Sequence, residues 1–291
     1  LKEEIDGIEG KEEKINDNIM VSRVEVTNEN GENAIGKPKG SYITIDFKNL
    51  KIAHEEEIQM ASEIVTKELS QLLAKHIQKT DSILVVGLGN IYVTPDALGP
   101  KVINEIDITR HLLEYMPEVL DKDTREVSAI SPGVLGTTGI ETLEILKGII
   151  DNVKPKLVIV IDALASRSIE RISSSVQLAD TGIVPGAGVD NARKELTIAT
   201  LGVPVIAIGI PTVVEAATIA ADSLTLLIQK VQNEAQSNEF LNQLQEEDKY
   251  TLIKEVLTPE EYNFIVTPKE IDSLIEKMKD IIARGINFAV N

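Results

Sequence analysis

Three uninterrupted apolar runs most constrain what this chain can fold into: Ile83–Val86, Leu157–Ile161 (LVIVI) and Val205–Ile210 (VIAIGI). A strand that alternates apolar and polar residues can leave one face in water, but a run apolar at every position must be covered on both faces. Each run stops at a break, namely Gly87-Leu88-Gly89-Asn90, Asp162 and Pro211-Thr212. Each is followed by a stretch with helical spacing: Leu98–Tyr115, Ile169–Leu178 and Val213–Gln232. Alternation of strand and helix predicts an α/β fold, a mostly parallel sheet with helices on both faces. In open sheets of this kind chemistry gathers at the carboxyl ends of the strands. Residues just past the three runs are therefore the first candidates for a site.

The flanks read differently. Ile19–Thr27 (IMVSRVEVT) and Ser41–Phe47 (SYITIDF) alternate, with a break at Asn28-Glu29-Asn30-Gly31 and a turn marked by Gly36, Pro38 and Gly40. They predict a β-hairpin or a pair of edge strands. His54–Gln78 carries Ile58, Ile64, Leu69, Leu73 and Ile77 at helical spacing and predicts one long amphipathic helix. Past Gln232 the chain turns polar. Pro268–Asn287 then reads as a helix, opened by Thr267 as cap with Pro268 in its first turn. The expected organisation is a single domain over 1–291, with a β-rich segment (1–52), an α/β core (53–232) and a C-terminal helical extension (233–291).

Composition removes several classes of function. The net charge of −18 with dispersed Lys and Arg speaks against direct nucleic-acid binding. The absence of cysteine rules out disulfides, a thiolate nucleophile and Cys-ligated metal. No run approaches the roughly 20 apolar residues of a membrane span, and the acidic start lacks a secretory pattern, so a soluble intracellular protein is expected. With 3% aromatics and no Trp, the core falls to Ile, Val, Leu and Ala. A chain that opens on Leu1 is expected to have been processed, trimmed or left incomplete.

Two carboxylates stand where chemistry is expected. Asp96, in NIYVTPDALGP, lies just past the first run, and Asp162 stands at the tip of LVIVI. Two aspartates at one sheet edge can share a proton, because neighbouring like charges raise one pKa and leave the other low. One pair then supplies an acid and a base. Each also has a plainer reading, Asp162 as a helix N-cap in particular. Other readings stay open beside these. Asp96, Asp162 and Glu215 form a set of hard carboxylate ligands for a metal. GLGN (87–90) starts like a dinucleotide fingerprint but has Tyr92 where its third glycine belongs, and a glycine pair after a strand also simply permits a tight turn. SPGVLGTTGIET (131–142) could cradle a phosphate, line a substrate cleft or simply connect two elements. Asp190 and Arg193 could orient substrate or start a helix. His54, His76 and His111 lie on helices away from the strand tips, which leaves Ser131, Ser166 and Ser168 without a partner base.

The stretches VVGLGNIYVTPDALGP, ITRHL, SPGVLGTTGIET, VIDALASRS, DTGIVPGAGVDNARKEL, VPVIAIGIPTVV and FIVTPKEIDSLIEKMKDIIARGINFAV together resemble the germination protease family, across nearly the whole chain. The resemblance implies an atypical aspartic endopeptidase that begins degradation of small acid-soluble spore proteins, the DNA-binding proteins of the spore, during germination. It implies a zymogen that loses a short propeptide, a homotetramer, a location in the spore cytoplasm (the core), and no cofactor. The family's catalytic aspartates lie in its TPDALGP and DALASR motifs, which here hold Asp96 and Asp162. The fold it implies is phosphorylase/hydrolase-like and shared with hydrogenase maturation proteases, whose site senses a metal in the substrate. The scarcity of His near these motifs argues against metal dependence here. By comparison with the resembled family, the propeptide region ahead of the hairpin is expected to be absent or shortened here. A carboxylate-ligated metallopeptidase and a nucleotide or small-ligand binding protein remain the alternatives.

Overall fold

The computed structural model of the chain describes residues 5–48, 50–168, 171–187, 193–234 and 264–291. Its elements, in order, are β1 (Ile8–Lys14), β2 (Ile19–Val26), α1 (Glu29–Ile35), β3 (Gly40–Phe47), α2 (Glu55–His76), β4 (Ile83–Gly87), α3 (Leu98–Ile103), α4 (Arg110–Tyr115), β5 (Val127–Ile130), α5 (Leu135–Thr138), α6 (Thr142–Val153), β6 (Leu157–Ser166), β7 (Ser175–Ala179), α7 (Ile198–Leu201), β8 (Val205–Glu215), α8 (Ala216–Glu234), β9 (Ile265–Val266) and α9 (Ile271–Val290).

The strands form one mixed nine-stranded sheet in the order β1-β2-β3-β7-β8-β6-β4-β5, with β9 added to the far end of β8. The three apolar runs lie at its centre as β4, β6 and β8, and parallel pairing is confined to these and β5. β7, β3, β2 and β1 continue the sheet in antiparallel pairs. Helices cover both faces. On one, α2, α3 and α9 pack over Ile83, Val85, Leu157, Ile159 and Ile161. On the other, α6 and α7 pack over Leu84, Val86, Val158 and Val160. The alternation of odd and even residues of β6 between two cores is the two-sided burial that the uninterrupted apolar run required.

Several expectations change in physical detail. β2 and β3 pair antiparallel, but α1 lies between them and neither is an edge. The edge on this side of the sheet is β1, a charged strand (IEGKEEK) whose apolar pattern is too weak to announce it. Charged edges of this kind discourage pairing with other chains. Leu98–Tyr115 is two helices, because Thr109 is bound to the start of β5: its N–H and Oγ1 meet the backbone of Val127 and Arg125. Within Ile169–Leu178, residues 169–170 lie outside the described residues, and Ser175–Leu178 belongs to strand β7, which joins β8 to β3. β6 and β8 each run on past the break in their apolar run, to Ser166 and Glu215, with a register shift at Leu164/Ala165. Asp162 is therefore an interior strand residue and caps no helix.

The long helix forms as expected, with His54 at its N-cap and Glu57 accepting from the His54 N–H at 2.8 Å. The C-terminal helix α9 lies along α2, with Ile275, Met278, Ile281, Ile282 and Ile286 in the core. Its Lys277 ammonium donates to the Leu50, Lys51 and Ala53 carbonyls. No helix among the described residues is long and apolar enough to cross a membrane.

Candidate functional site

The site forms where β4 stops and β6 does not. The last β4–β6 pair is Gly87 with Ile161, and the Leu88 N–H closes the ladder on the Ile161 carbonyl at 2.8 Å. The next residue of β6 is Asp162, paired on its other side with Gly209 of β8. Its side chain is only 6% exposed. From β4 the chain runs through GLGN and Ile91–Val93 into a tight 3-10 turn, Thr94–Asp96, in which Pro95 stiffens the start.

Glycine is required here for backbone contact. A Cβ on Gly87 would lie 2.3 Å from the Gly99 carbonyl oxygen, and one on Gly99 would lie 2.2 Å from the Leu88 carbonyl oxygen. The two glycines let the start of α3 rest directly on the end of β4. Gly89, at φ +114°, is held against the Asp96 carbonyl oxygen, 2.0 Å from where a Cβ would be, with Asp96 Oδ1 at 3.0 Å. The Asn90 N–H donates to Asp96 Oδ2 at 2.7 Å. GLGN is thus the seat of a carboxylate, a role in which glycine supplies close approach and positive φ. The glycine pair reads in the sequence as a tight turn after a strand, but nothing in its spacing tells that the turn receives Asp96.

The electrostatics separate the two aspartates. Burial raises the Asp96 carboxyl above its ordinary value, and the Asn90 N–H opposes that rise. Asp162 is pushed up to about 8, first by burial and then by the charge of Asp96, with only the Ala163 N–H opposing. Asp96 therefore ionises first, against burial alone. Asp162 must then lose its proton against both burial and a neighbouring anion. The two carboxyls are thus unlike, Asp162 being held the more strongly in its neutral form, and unlike pKa values are what acid–base chemistry by two like groups needs.

The remaining candidates are placed elsewhere. Glu215 lies six residues along β8 from Gly209, the partner of Asp162, about 20 Å at the usual rise per residue. Asp96, Asp162 and Glu215 accordingly do not converge, and no three His, Asp or Glu side chains among the described residues form a set able to hold a metal. In SPGVLGTTG the Thr137 and Thr138 hydroxyls both bond back to the Val134 carbonyl and so close a one-turn helix. Ser166 is spent in a turn with Ser168, and Ser131 is exposed. His54 caps α2, His76 meets Asp180 at 3.1 Å and His111 is exposed on α4. Asp190 lies outside the described residues. The Arg193 N–H donates to the Pro185 carbonyl at 2.9 Å.

A buried aspartate on β6 beside a half-buried one in the turn after β4, with neither serine triad nor metal cluster beside them among the described residues, narrows the chemistry, and similarity to known proteins decides the family. The profile described as "Germination protease" matches residues 1–241 and 239–291. The chain belongs to the germination protease family. It is 49% identical to the germination protease of Caldanaerobacter subterraneus subsp. tengcongensis, over 99% of this chain and 89% of that relative. It is 46% identical to that of Clostridium acetobutylicum, over 94% of this chain and 85% of the relative. It is 42% identical to that of Priestia megaterium, over 99% and 87%. Among solved structures, a nickel–iron hydrogenase maturation protease from Thermococcus kodakarensis is similar at 22% identity over 48% of this chain and 80% of its own, with a TM-score of 0.30. That likeness is too slight to bear on the chemistry. Germination protease membership makes the chain a peptidase that acts on protein substrates.

Proposed function

We propose that this germination protease is an aspartic-type endopeptidase in which Asp96 and Asp162 divide the work of one water attack. The observation that carries the proposal is the placement of Asp162, buried one residue past the last β4–β6 pair and within reach of the charge of Asp96, with its carboxyl pushed up to about 8. Asp96, seated on Gly89 and the Asn90 N–H, is the carboxylate. It takes a proton from water as the oxygen attacks the peptide carbonyl carbon, while Asp162 gives its proton to the carbonyl oxygen. On collapse the oxygen returns that proton to Asp162, the C–N bond breaks, and protonated Asp96 supplies the amine. Buried donors aimed at a developing oxyanion stabilise the transition state more than the ground state.

The substrates we propose are the small acid-soluble proteins of the spore, which the motif resemblance implies. An enzyme of net charge −18 is repelled by DNA, so it would meet such substrates when they are free of it. We also propose synthesis as a zymogen, assembly as a homotetramer and action in the spore core. Sedimentation at several concentrations tests the tetramer, which a single monomeric species would refute.

The reading is tested by Asp96→Asn and Asp162→Asn, made separately and assayed on a purified small acid-soluble spore protein. Each is expected to lower kcat/KM by about 10²–10⁴-fold, with circular dichroism unchanged and wild-type activity resistant to exhaustive chelation. Near-wild-type cleavage by either folded variant would sink the dyad. Loss of wild-type activity on chelation would favour a metal route.

A further inference from the structure

Past its last contact with β4, strand β6 has one edge without a partner strand among the described residues. β4 pairs with β6 only up to Ile161, whereas β8 accompanies β6 to Ser166. Successive residues of a strand turn their backbone N–H and C=O groups to opposite edges. The Val158 N–H meets the Pro204 carbonyl on the β8 side, and the Ile161 carbonyl meets the Leu88 N–H on the β4 side. By that alternation Ala163 and Ala165 face the edge that β4 has vacated. The first six residues of β6 are buried, but Ala163, Leu164 and Ala165 are each partly exposed. Ala163 and Ala165 present no side chain beyond a methyl group to obstruct an approaching chain.

Exposed ladder groups accept a further strand whenever one is available. This edge begins one residue beyond Asp162, so a strand added there runs past the aspartate pair. We propose that the protein substrate binds as an added strand on the Ala163–Ser166 edge of β6, held by its own backbone. This deepens the assignment of Asp96 and Asp162 as the catalytic pair and rests on it. The Ala163 N–H already faces the Asp162 carboxyl, which leaves the Ala163 carbonyl as acceptor and the Ala165 N–H as donor to the incoming chain. Binding through the backbone places a peptide carbonyl beside Asp162 whatever the side chains. It also demands an extended, unfolded substrate segment, since a peptide already in a helix or sheet has no free groups to give.

The test uses the wild-type enzyme and a short synthetic peptide spanning a bond that it cleaves, identified by mass spectrometry of digestion products. Each amide on either side of the scissile bond is replaced in turn by an ester, which removes one N–H and weakens one acceptor while keeping shape. The expected result is a loss of kcat/KM of about tenfold at alternate positions on one side of the cleaved bond, the worth of about one backbone hydrogen bond. Ala165→Pro, which removes the N–H at the edge, is expected to raise KM for the parent peptide and to lose its sensitivity to the ester that weakens the matching acceptor. A flat ester scan with the enzyme intact overturns the proposal, whatever Ala165→Pro does to folding. The two readings fail separately. A flat scan with inactive Asp96→Asn refutes the strand edge alone, and an alternating scan with active Asp96→Asn refutes the catalytic pair alone.

Discussion

The two halves of the sheet solve burial in different ways. In the parallel half, β4 is buried at every position and β6 for its first six, so each residue packs into one core or the other. In the antiparallel half, β3 alternates strictly between buried and half-buried residues, and β1 has no buried residue. A polar group in the second half reaches water by choice of face, whereas one in the first half has no such face. Asp162 is a carboxylate placed where no face is wet, and its raised pKa is the consequence. The antiparallel half buries charge too, but pairs it. Glu68 of α2 is fully buried and receives two bonds from Arg23 of β2, at 2.7 and 2.5 Å, while Glu13 of β1 takes a third at 2.9 Å. A buried acid bonded to a guanidinium fastens helix to sheet, whereas one left beside another acid is pushed towards its neutral form.

That contrast is broken most sharply by exchanging each acid for a neutral isostere. Asp162→Asn is expected to abolish nearly all turnover yet raise thermal stability above pH 8. Unfolded Asp162 ionises near its ordinary value of 3.8, while the folded one keeps its proton to about 8. The stability it contributes is thus fully present below about 3.8 and is lost as pH rises through 8. Melting curves at acid and alkaline pH check this, and a variant that is less stable at pH 9 than wild type would overturn it. Glu68→Ala is expected to do the reverse. It should leave the aspartates competent in the folded fraction and cost about 1.5–3 kcal/mol in denaturant unfolding, because it removes two charge-assisted bonds while Glu13 still holds Arg23. A cost near zero would mean the ion pair does not fasten α2.

Gly89→Ala lies between these extremes. It places a methyl group against the Asp96 carbonyl at positive φ, so a loss of about 1–3 kcal/mol and a fall in kcat larger than any change in KM are expected. An unchanged kcat would remove GLGN from the positioning of Asp96. Lys11→Ala on exposed β1 is expected to change stability by no more than about 0.5 kcal/mol. The pH profile of kcat/KM sharpens the same contrast without mutation. Activity should rise as Asp96 ionises and fall as Asp162 loses its proton near 8.

Much of the parallel half was legible in the sequence, since LVIVI and VIAIGI have no other stable home than a sheet covered twice. The positions of Asp96 and Asp162 past the first two runs followed from the same reading. What stayed hidden depends on partners distant in sequence. A polar residue normally ends an apolar run, so Asp162 and Pro211-Thr212 read as strand ends. Their strands continue because β6 and β8 pair with each other through the break. Residues Ser175–Ala179 form a strand because β3 and β8 lie on either side to receive it, and no local pattern carries that fact. Strand β1 is held by its ladder to β2 and by Glu13 on Arg23, with almost no apolar pattern to betray it. At the site, the seat of Asp96 was missed because its contacts are backbone contacts, and glycine in a sequence does not say what approaches it.

The most direct test is a carbon-13 titration of the Asp162 carboxyl from about pH 4 to about pH 10, assigned by its disappearance in Asp162→Asn and repeated in Asp96→Asn. An aspartate pair sharing one proton predicts a wild-type midpoint near 8 that falls when the Asp96 charge is removed. A midpoint in the ordinary carboxylate range, unmoved by Asp96→Asn, would contradict it.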